Sequence, residues 1–186
     1  VAAAAIALLA HVQNEPTIEV LGTLISASSI GFLIHNWSPA SIFMGDVGSA
    51  FLGFSIAAIP LMSVEAKPNM LFVTICSVWP FLFDTVLTFF RRLVRRENVL
   101  QAHRSHLYQR LVQCGMSHAM VVTLYAAGSA IASTLAIASL RSAAFAVATL
   151  IAIPAMAAAL AVLVSMRESE GPVGPKTSNG RVPTAH

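Results

Sequence analysis

Long apolar stretches separated by short polar connections dominate the chain. A membrane-spanning helix needs about 20 largely apolar residues. That pattern predicts six spans, the first of them truncated, at residues 1–10, 18–35, 48–64, 69–90, 119–140 and 142–166. We therefore predict an all-α, polytopic integral membrane helix bundle with about five full spans plus a truncated first span.

The composition agrees with this pattern. The chain is 56% hydrophobic and 10% charged, with a mean hydropathy of +0.76, whereas soluble domains are roughly a quarter charged. An ordinary soluble domain is excluded. Cys76 and Cys114 are expected to be free thiols, and residues 167–186, rich in Gly, Pro, Ser and Thr, are predicted to form a disordered cytoplasmic tail. Because the chain begins inside an apolar run without Met, we expect a fragment.

The orientation follows from the positive-inside rule. The connection 91–118 carries six arginines against one acid, Glu97, and is therefore predicted to be cytoplasmic. Counting spans backwards places the connection 36–47 on the same cytoplasmic side and the connections 11–17 and 65–68 outside. The two connections with the most polar chemistry are thus expected on one face.

Asp46 lies in the polar segment Gly45-Asp46-Val47-Gly48-Ser49 between apolar flanks. A carboxylate flanked by glycines, opening a membrane helix, suits a hard divalent cation, which prefers oxygen ligands and phosphates. Asp is also favoured as a helix N-cap, where it complements the helix dipole. The residues alone leave both interpretations open.

Asp84 is placed inside an apolar span, about two turns before Arg91. An intramembrane carboxylate is a functional-site hypothesis by default. The alternative is a structural pairing, with an arginine of the next loop or with a helix neighbour. Pro80, four residues earlier, is expected to kink the helix.

The segment 101–110 contains two histidines, two arginines and a tyrosine. Arginine binds phosphate through paired hydrogen bonds, and histidine can exchange a proton near neutral pH. A basic juxtamembrane loop can instead serve topology and anionic lipid, which explains Arg91, Arg92, Arg95 and Arg96 but not the paired histidines. A zinc site has no supporting Cys–His spacing.

Three segments in this order resemble the polyprenyl-phosphate N-acetylhexosamine-1-phosphate transferases, glycosyltransferase family 4. The segment 36–49 resembles the signature Asn-x-x-Pro-Ala-x-x-Phe-Met-Gly-Asp-x-Gly-Ser. Phe83-Asp84-Thr85 resembles the family's Asp-Thr span, and residues 103–111 resemble its histidine-rich cytoplasmic loop. The resemblance covers about residues 20–140 and makes residues 1–166 the C-terminal part of the transmembrane transferase domain.

The resemblance implies transfer of an N-acetylhexosamine-1-phosphate from a UDP-sugar to undecaprenyl phosphate, with release of UMP, at the inner membrane of a bacterium. It implies Mg²⁺ as cofactor, with Mn²⁺ as an alternative, and no nucleic-acid partner; a homo-oligomer is left open. Asp46 and Asp84 would be catalytic, with Asp46 the metal ligand. The substrate-binding candidates would be Asn36, Gly45, Gly48, Ser49, His103, Arg104, His106 and Arg110.

The chain also departs from the family pattern. Where other branches of the family have a His-x-His-His run, this chain has His106-Leu107-Tyr108-Gln109. In this respect the chain is closer to the members that initiate O-antigen (lipopolysaccharide) synthesis. That synthesis is one of the cell-wall and envelope pathways that the family serves. The family's Asp-Asp pair and its later Asp-Gly motif do not occur, because Asp46 and Asp84 are the only aspartates. We therefore expect this chain alone to be inactive. The competing hypotheses are a catalytically dead membrane remnant and a transporter segment that uses Asp84.

Overall fold

The computed structural model describes residues 1–37, 39–63, 65, 67–96 and 106–169, and these ranges contain helices and no strand. In chain order the α-helices are α1 Ala2–Val12, α2 Pro16–Asn36, α3 Gly45–Ala58, α4 Asn69–Ser77, α5 Trp79–Val94, α6 Leu107–Gln113, α7 His118–Ser139 and α8 Ala143–Ser169. A 3-10 helix, Ile59–Ser63, continues α3. The predicted all-α class is confirmed.

Four helical segments are long and apolar enough to cross a membrane: α2, α3 with its 3-10 continuation, α7 and α8. Counted as one segment, α4 and α5 are also long and apolar enough, with a bend of 67° between them. Helix α1 is apolar but shorter. Length and composition therefore give a multi-pass membrane bundle of four spans, or five when the bent pair counts as one.

The break between α4 and α5 falls where the sequence places a proline. α4 ends at Ser77, and α5 begins with Trp79 and Pro80 in its first turn. Proline has no backbone N–H and fits the first turn of a helix, whereas in the interior it removes one hydrogen bond and favours a kink or a break; α8 stays continuous through its interior Pro154. The predicted kink at Pro80 is thus confirmed as a full break. The indole Nε1 of Trp79 donates to the carbonyl of Gly128 in α7 at 3.1 Å, which fixes α5 against its neighbour.

Two groups of buried side chains define two ends of the bundle. At the first end, α1, α2, the 3-10 helix, α4 and α7 meet through residues that include Ile6, Leu9, Ile18, Ile59, Met70 and Ala136. At the second end, α6 packs against the start of α7 and the last turns of α8 through Leu107, Leu111, Val121, Leu160 and Val164. The first end thus contains the turn from α1 to α2, and the second end contains α6.

Polar contacts at the first end join two connections that the topology places on one face. The ammonium group of Lys67 lies 2.9 Å from the carboxylate of Glu15 and also donates to the carbonyl of Gln13. α2 leaves this end near Ile18, and α3 with its 3-10 helix arrives there at Ile59. By helix direction, the start of α3 therefore lies toward the second end, as α6 does.

Helix α3 has no buried residue. Val47 is 85% exposed and Phe54 is 73% exposed. Among the described elements, α3 packs extensively only against the 3-10 helix that continues it. An apolar surface of this size is unfavourable in water. We therefore expect the side chains of α3 to contact lipid or other protein.

The end of α8 extends past the predicted domain boundary. Arg167 and Ser169 are helical, and the hydroxyl of Ser169 donates to the carbonyl of Met166 at 2.7 Å. The remainder of the predicted tail, residues 170–186, lies outside the described residues.

Close packing of α1 against α2 depends on Gly22. A Cβ atom there would lie 3.0 Å from both the carbonyl oxygen of Ala3 and the amide nitrogen of Ala7. Small residues let membrane helices approach closely. We expect Gly22→Ala to lower the free energy of unfolding by about 1–3 kcal/mol through overpacking, measured by denaturant titration in detergent micelles.

Gly31→Ala is the matched control, because it lies in the same helix and a Cβ atom there meets nothing within 4 Å. It should be neutral or stabilising by up to about 1 kcal/mol, since alanine is the better helix former. Equal effects of the two substitutions would contradict the packing argument.

Candidate functional site

The carboxylate of Asp84 is the most heavily hydrogen-bonded group of the candidate site, although its residue is only 3% exposed. Its Oδ1 atom accepts from the backbone N–H of Leu107 at 2.7 Å and from the hydroxyl of Thr88 at 3.1 Å. The Nδ1 atom of His106 lies 3.2 Å from the same oxygen. One oxygen thus joins α5 to the start of α6.

The second oxygen of Asp84 adds a third helix. Oδ2 accepts from the hydroxyl of Tyr125 in α7 at 3.0 Å and from the backbone N–H of Tyr108 at 3.3 Å. A buried charge costs several kcal/mol unless it is paired and hydrogen-bonded. With four donor groups and a histidine ring nitrogen around its two oxygens, Asp84 meets that requirement, and α5, α6 and α7 are joined at one carboxylate.

The carboxylate lies at the N-terminus of α6, where it accepts from the first two backbone N–H groups of the helix. The N–H groups of Leu107 and Tyr108 are two of the four that have no partner within a helix at its start, and the helix dipole there favours a negative charge. His106 is the N-cap residue and forms a capping box with Gln109, whose Oε1 accepts from the His106 backbone N–H at 3.3 Å. Asp84 therefore determines where α6 begins.

Arg110, one turn further along α6, is paired with the end of α8. Its Nε atom donates to Glu168 Oε1 at 2.5 Å, and its Nη2 atom donates to Glu168 Oε2. The pairing is bidentate, which is the strong and geometrically specific form of the arginine–carboxylate interaction. In this structure the guanidinium group predicted to bind substrate is held by a carboxylate.

Asp46 lies in the first turn of α3, and it is exposed. Gly45, just before it, has φ +69°, a left-handed conformation that glycine adopts without steric cost. The Ser49 hydroxyl donates to the Asp46 carbonyl at 3.0 Å, and a Cβ atom at Gly48 would lie 2.6 Å from the flexible Met44 side chain. The glycines thus shape the turn that carries the carboxylate. The predicted N-cap position is taken by Met44.

Asn36 is the last residue of α2 and braces the connection to α3. Its Nδ2 atom donates to the carbonyl of Ile42 at 2.7 Å. The hydroxyl and the backbone N–H of Ser41 both donate to the carbonyl of His35 at 2.9 Å. These bonds fold residues 39–44 back onto the end of α2, just ahead of Asp46.

The structure brings some of the predicted residues together and leaves others apart. Asp84 and His106 are in contact, whereas Asp46 forms no hydrogen bond or ion pair with either of them among the described residues. His103 and Arg104 lie outside the described residues.

For the predicted Mg²⁺ ion, the start of α3 offers one carboxylate, that of Asp46. Within the described ranges, no group of three or more His, Cys, Asp or Glu side chains could hold a metal ion. Mg²⁺ is commonly bound through one or two carboxylates together with water and substrate phosphates. An exposed carboxylate beside a glycine turn fits that pattern as a single ligand.

Sequence reasoning missed three residues that hold the site together: Thr88, Tyr125 and Glu168. Thr88 follows Asp84 by one helical turn, so the i, i+4 spacing was available as a signal. For Tyr125 the signal was a hydroxyl in an apolar span, since a buried tyrosine usually finds a hydrogen-bond partner. For Glu168 no local signal existed, because its partner is distant in the chain.

Comparison with known proteins adds a family likeness. A sequence profile described as glycosyl transferase family 4 matches residues 1–64. The "Probable undecaprenyl-phosphate N-acetylglucosaminyl 1-phosphate transferase" of Bacillus subtilis is 34% identical over 126 residues, which cover 66% of this chain and 35% of that protein. The "Decaprenyl-phosphate N-acetylglucosaminephosphotransferase" of Mycobacterium leprae is 32% identical over 120 residues, covering 56% of this chain and 30% of the relative.

A shorter match comes from a third type of protein. The "Phospho-N-acetylmuramoyl-pentapeptide-transferase" of Latilactobacillus sakei is 46% identical over 55 residues, covering 30% of this chain and 17% of that protein. The chain spans about a third of the length of the first curated relatives that it matches. No solved structure matches the chain.

The pair of Arg110 and Glu168 should couple α6 to α8 measurably. In a double-mutant cycle of Arg110→Gln and Glu168→Gln, we expect a coupling energy of about 1 kcal/mol, because the pair is bidentate but partly exposed. The measurement is the free energy of unfolding in micelles for the two single variants and the double variant.

Arg141→Gln provides the control, because Arg141 is exposed in the turn between α7 and α8, at the opposite end of α8 from Glu168. Its combination with Glu168→Gln should be additive, as expected for distant sites. Additivity in the Arg110 cycle as well would show that the pair contributes nothing to stability.

Proposed function

Because the chain belongs to glycosyl transferase family 4, we propose that it contributes to transfer of an N-acetylhexosamine-1-phosphate from a UDP-sugar to undecaprenyl phosphate. The curated relatives are named for N-acetylglucosamine, so N-acetylglucosamine-1-phosphate is the first group to test. An oxygen of the lipid phosphate attacks the sugar-bearing β-phosphorus, the bond from that phosphorus to the bridging oxygen breaks, and UMP leaves. We further propose that this transfer initiates the synthesis of an O-antigen type of polysaccharide.

The observation that carries the proposal is the attachment of α6 to Asp84. It holds the His106 end of the histidine-rich segment at the second end of the bundle, toward which the start of α3 with Asp46 also points. Phosphoryl transfer depends mainly on positioning and on neutralising oxygen charge, with little covalent help from the protein. If this end of the bundle is the cytoplasmic one, as the positive-inside rule predicts, the two polar segments would suit a water-soluble donor and a lipid acceptor.

The residues have distinct proposed roles. Asp46 would hold Mg²⁺, which neutralises charge on the diphosphate oxygens when bound. His103, Arg104, His106 and Arg110 are the proposed contacts to the diphosphate or its neighbouring groups, and Asn36, Gly45, Gly48 and Ser49 shape the turn around Asp46. For Arg110 this role requires that substrate compete with Glu168 for the guanidinium group.

The test is UMP release from UDP-N-acetylglucosamine in membranes that contain undecaprenyl phosphate and Mg²⁺. Because the chain spans about a third of its relatives, it should be assayed alone and in place of the segment that it matches in the Bacillus subtilis relative. We expect UMP release by the chimera and none by the 186-residue chain. A folded chimera that releases no UMP while the intact relative does would contradict the proposal.

Asp46→Asn in the chimera should lower the rate of UMP release by about 100-fold or more, because it removes a charged oxygen ligand while keeping the side-chain size. Glu19→Gln is the matched control, since it neutralises an exposed carboxylate of α2 near the first end, where Glu19 pairs with His11. The control should retain the unmodified rate. An Asp46→Asn chimera with that same rate would remove Asp46 from the metal site.

A further inference from the structure

The contact between Asp84 and His106 has a consequence for the position of a proton. Oδ1 of Asp84 already accepts from the backbone N–H of Leu107, and Oδ2 accepts from that of Tyr108. Oδ1 also accepts from the hydroxyl of Thr88 and Oδ2 from that of Tyr125, so the two oxygens accept four bonds, which is the pattern of an ionised carboxylate. An ionised carboxylate is acceptor-only. The His106 Nδ1 atom, 3.2 Å from Oδ1, therefore meets an acceptor.

We propose that Asp84 is a positioning residue: in the neutral form of the His106 ring it holds the proton on Nδ1, so that Nε2 is the acceptor nitrogen of the ring. A neutral imidazole carries one N–H, and the hydrogen bond made by one nitrogen determines the character of the other. The assignment goes beyond the proposed function, because it concerns the state of the ring in the protein itself.

A competing contact tests the strength of this argument. The capping box pairs the His106 side chain, as acceptor, with the backbone N–H of Gln109; that contact favours an unprotonated ring nitrogen. A hydrogen bond to an ionised carboxylate is roughly twice as strong as a neutral one. In addition, an unprotonated Nδ1 would set its lone pair against Oδ1. The carboxylate contact therefore determines the tautomer.

The wider packing makes the arrangement rigid. Tyr125 from α7 and Thr88 from α5 hold the two oxygens of Asp84 at 3.0 Å and 3.1 Å. Leu107, directly after His106, is 2% exposed. Rotation of the carboxylate or of the start of α6 would break several of these contacts. The His106 ring is therefore held both by the fixed position of Asp84 and by the fixed backbone at Leu107.

The tautomer limits what His106 can bind. A neutral ring with an acceptor Nε2 cannot donate from that nitrogen to an unprotonated phosphate oxygen; it accepts from a donor. Resting on the proposed function, this assigns to His106 a hydroxyl group of the nucleotide sugar, because hydroxyls are hydrogen donors that this substrate carries. The arginines are left to meet the phosphate oxygens.

The first experiment needs no activity. The 186-residue chain, labelled with ¹⁵N-histidine in lipid nanodiscs, is examined by two-bond ¹H–¹⁵N correlation at a pH where histidine is neutral, and His106→Gln assigns the signal. We expect about a tenfold excess of the Nδ1–H form. An excess of the Nε2–H form in the unmodified chain would overturn the proposal, whatever the substituted chains do.

Substitutions show whether the carboxylate is the cause. Asp84→Asn should abolish the excess of the Nδ1–H form. Thr88→Val is the matched control, because it removes one donor to Oδ1 and keeps the charge, and it should retain the excess. If Thr88→Val lost the excess as completely as Asp84→Asn, the carboxylate would not be the determinant.

The second experiment tests the use of the tautomer in the chimera. Asp84→Asn should raise the KM for UDP-N-acetylglucosamine about tenfold relative to Thr88→Val, with a smaller change in the KM for undecaprenyl phosphate. An unchanged KM for the nucleotide sugar, with the tautomer lost, would overturn the role in substrate binding. A chimera without any activity would overturn that role together with the proposed function, whereas the spectra would still decide the tautomer.

Discussion

The described structure depends on the burial of one carboxylate. Asp84 places a charged group where neither lipid nor the protein interior would stabilise it alone, and the chain satisfies it with donors from α5, α6 and α7. Because two of those donors are the N–H groups that begin α6, the same charge that is costly to bury also specifies where a short helix starts. The buried charge that costs free energy is therefore also the group that fixes the start of α6.

This arrangement explains why a helix of seven residues, Leu107–Gln113, can serve as a fixed element. Isolated helices of this length are unstable in water, because nucleation costs more than the few internal hydrogen bonds return. Asp84 supplies the missing partners at its N-terminus, Leu107 and Leu111 bury its apolar face, and the bidentate contact of Arg110 with Glu168 joins it to α8. Together the three contacts attach α6 to α5, α7 and α8.

The sequence was sufficient for the spans, because about 20 apolar residues in a row leave few alternatives. It predicted the kink at Pro80, where the missing N–H removes a helical hydrogen bond, but not that one helix would end and another begin there, since α8 stays continuous through Pro154. It identified Asp84 and His106 separately but not their contact, since an arginine of the next loop was an equally good partner on charge alone. Tyr125 was one hydroxyl among several in α7, and only the packing of α5 against α7 distinguishes it from Ser133, whose hydroxyl contacts the Ser77 hydroxyl and the Ser129 carbonyl.

The absence of any buried residue in α3 means that the two parts of the candidate site differ in how the described chain holds them. A helix with few contacts inside the protein is positioned mainly by the lipid or protein around it and not by packing within the bundle. Asp46 is carried by such a helix, whereas the amides of Leu107 and Tyr108 are bonded to a buried carboxylate. A substrate that touched both parts would therefore order one of them against the other, and part of its binding free energy would be spent on that ordering.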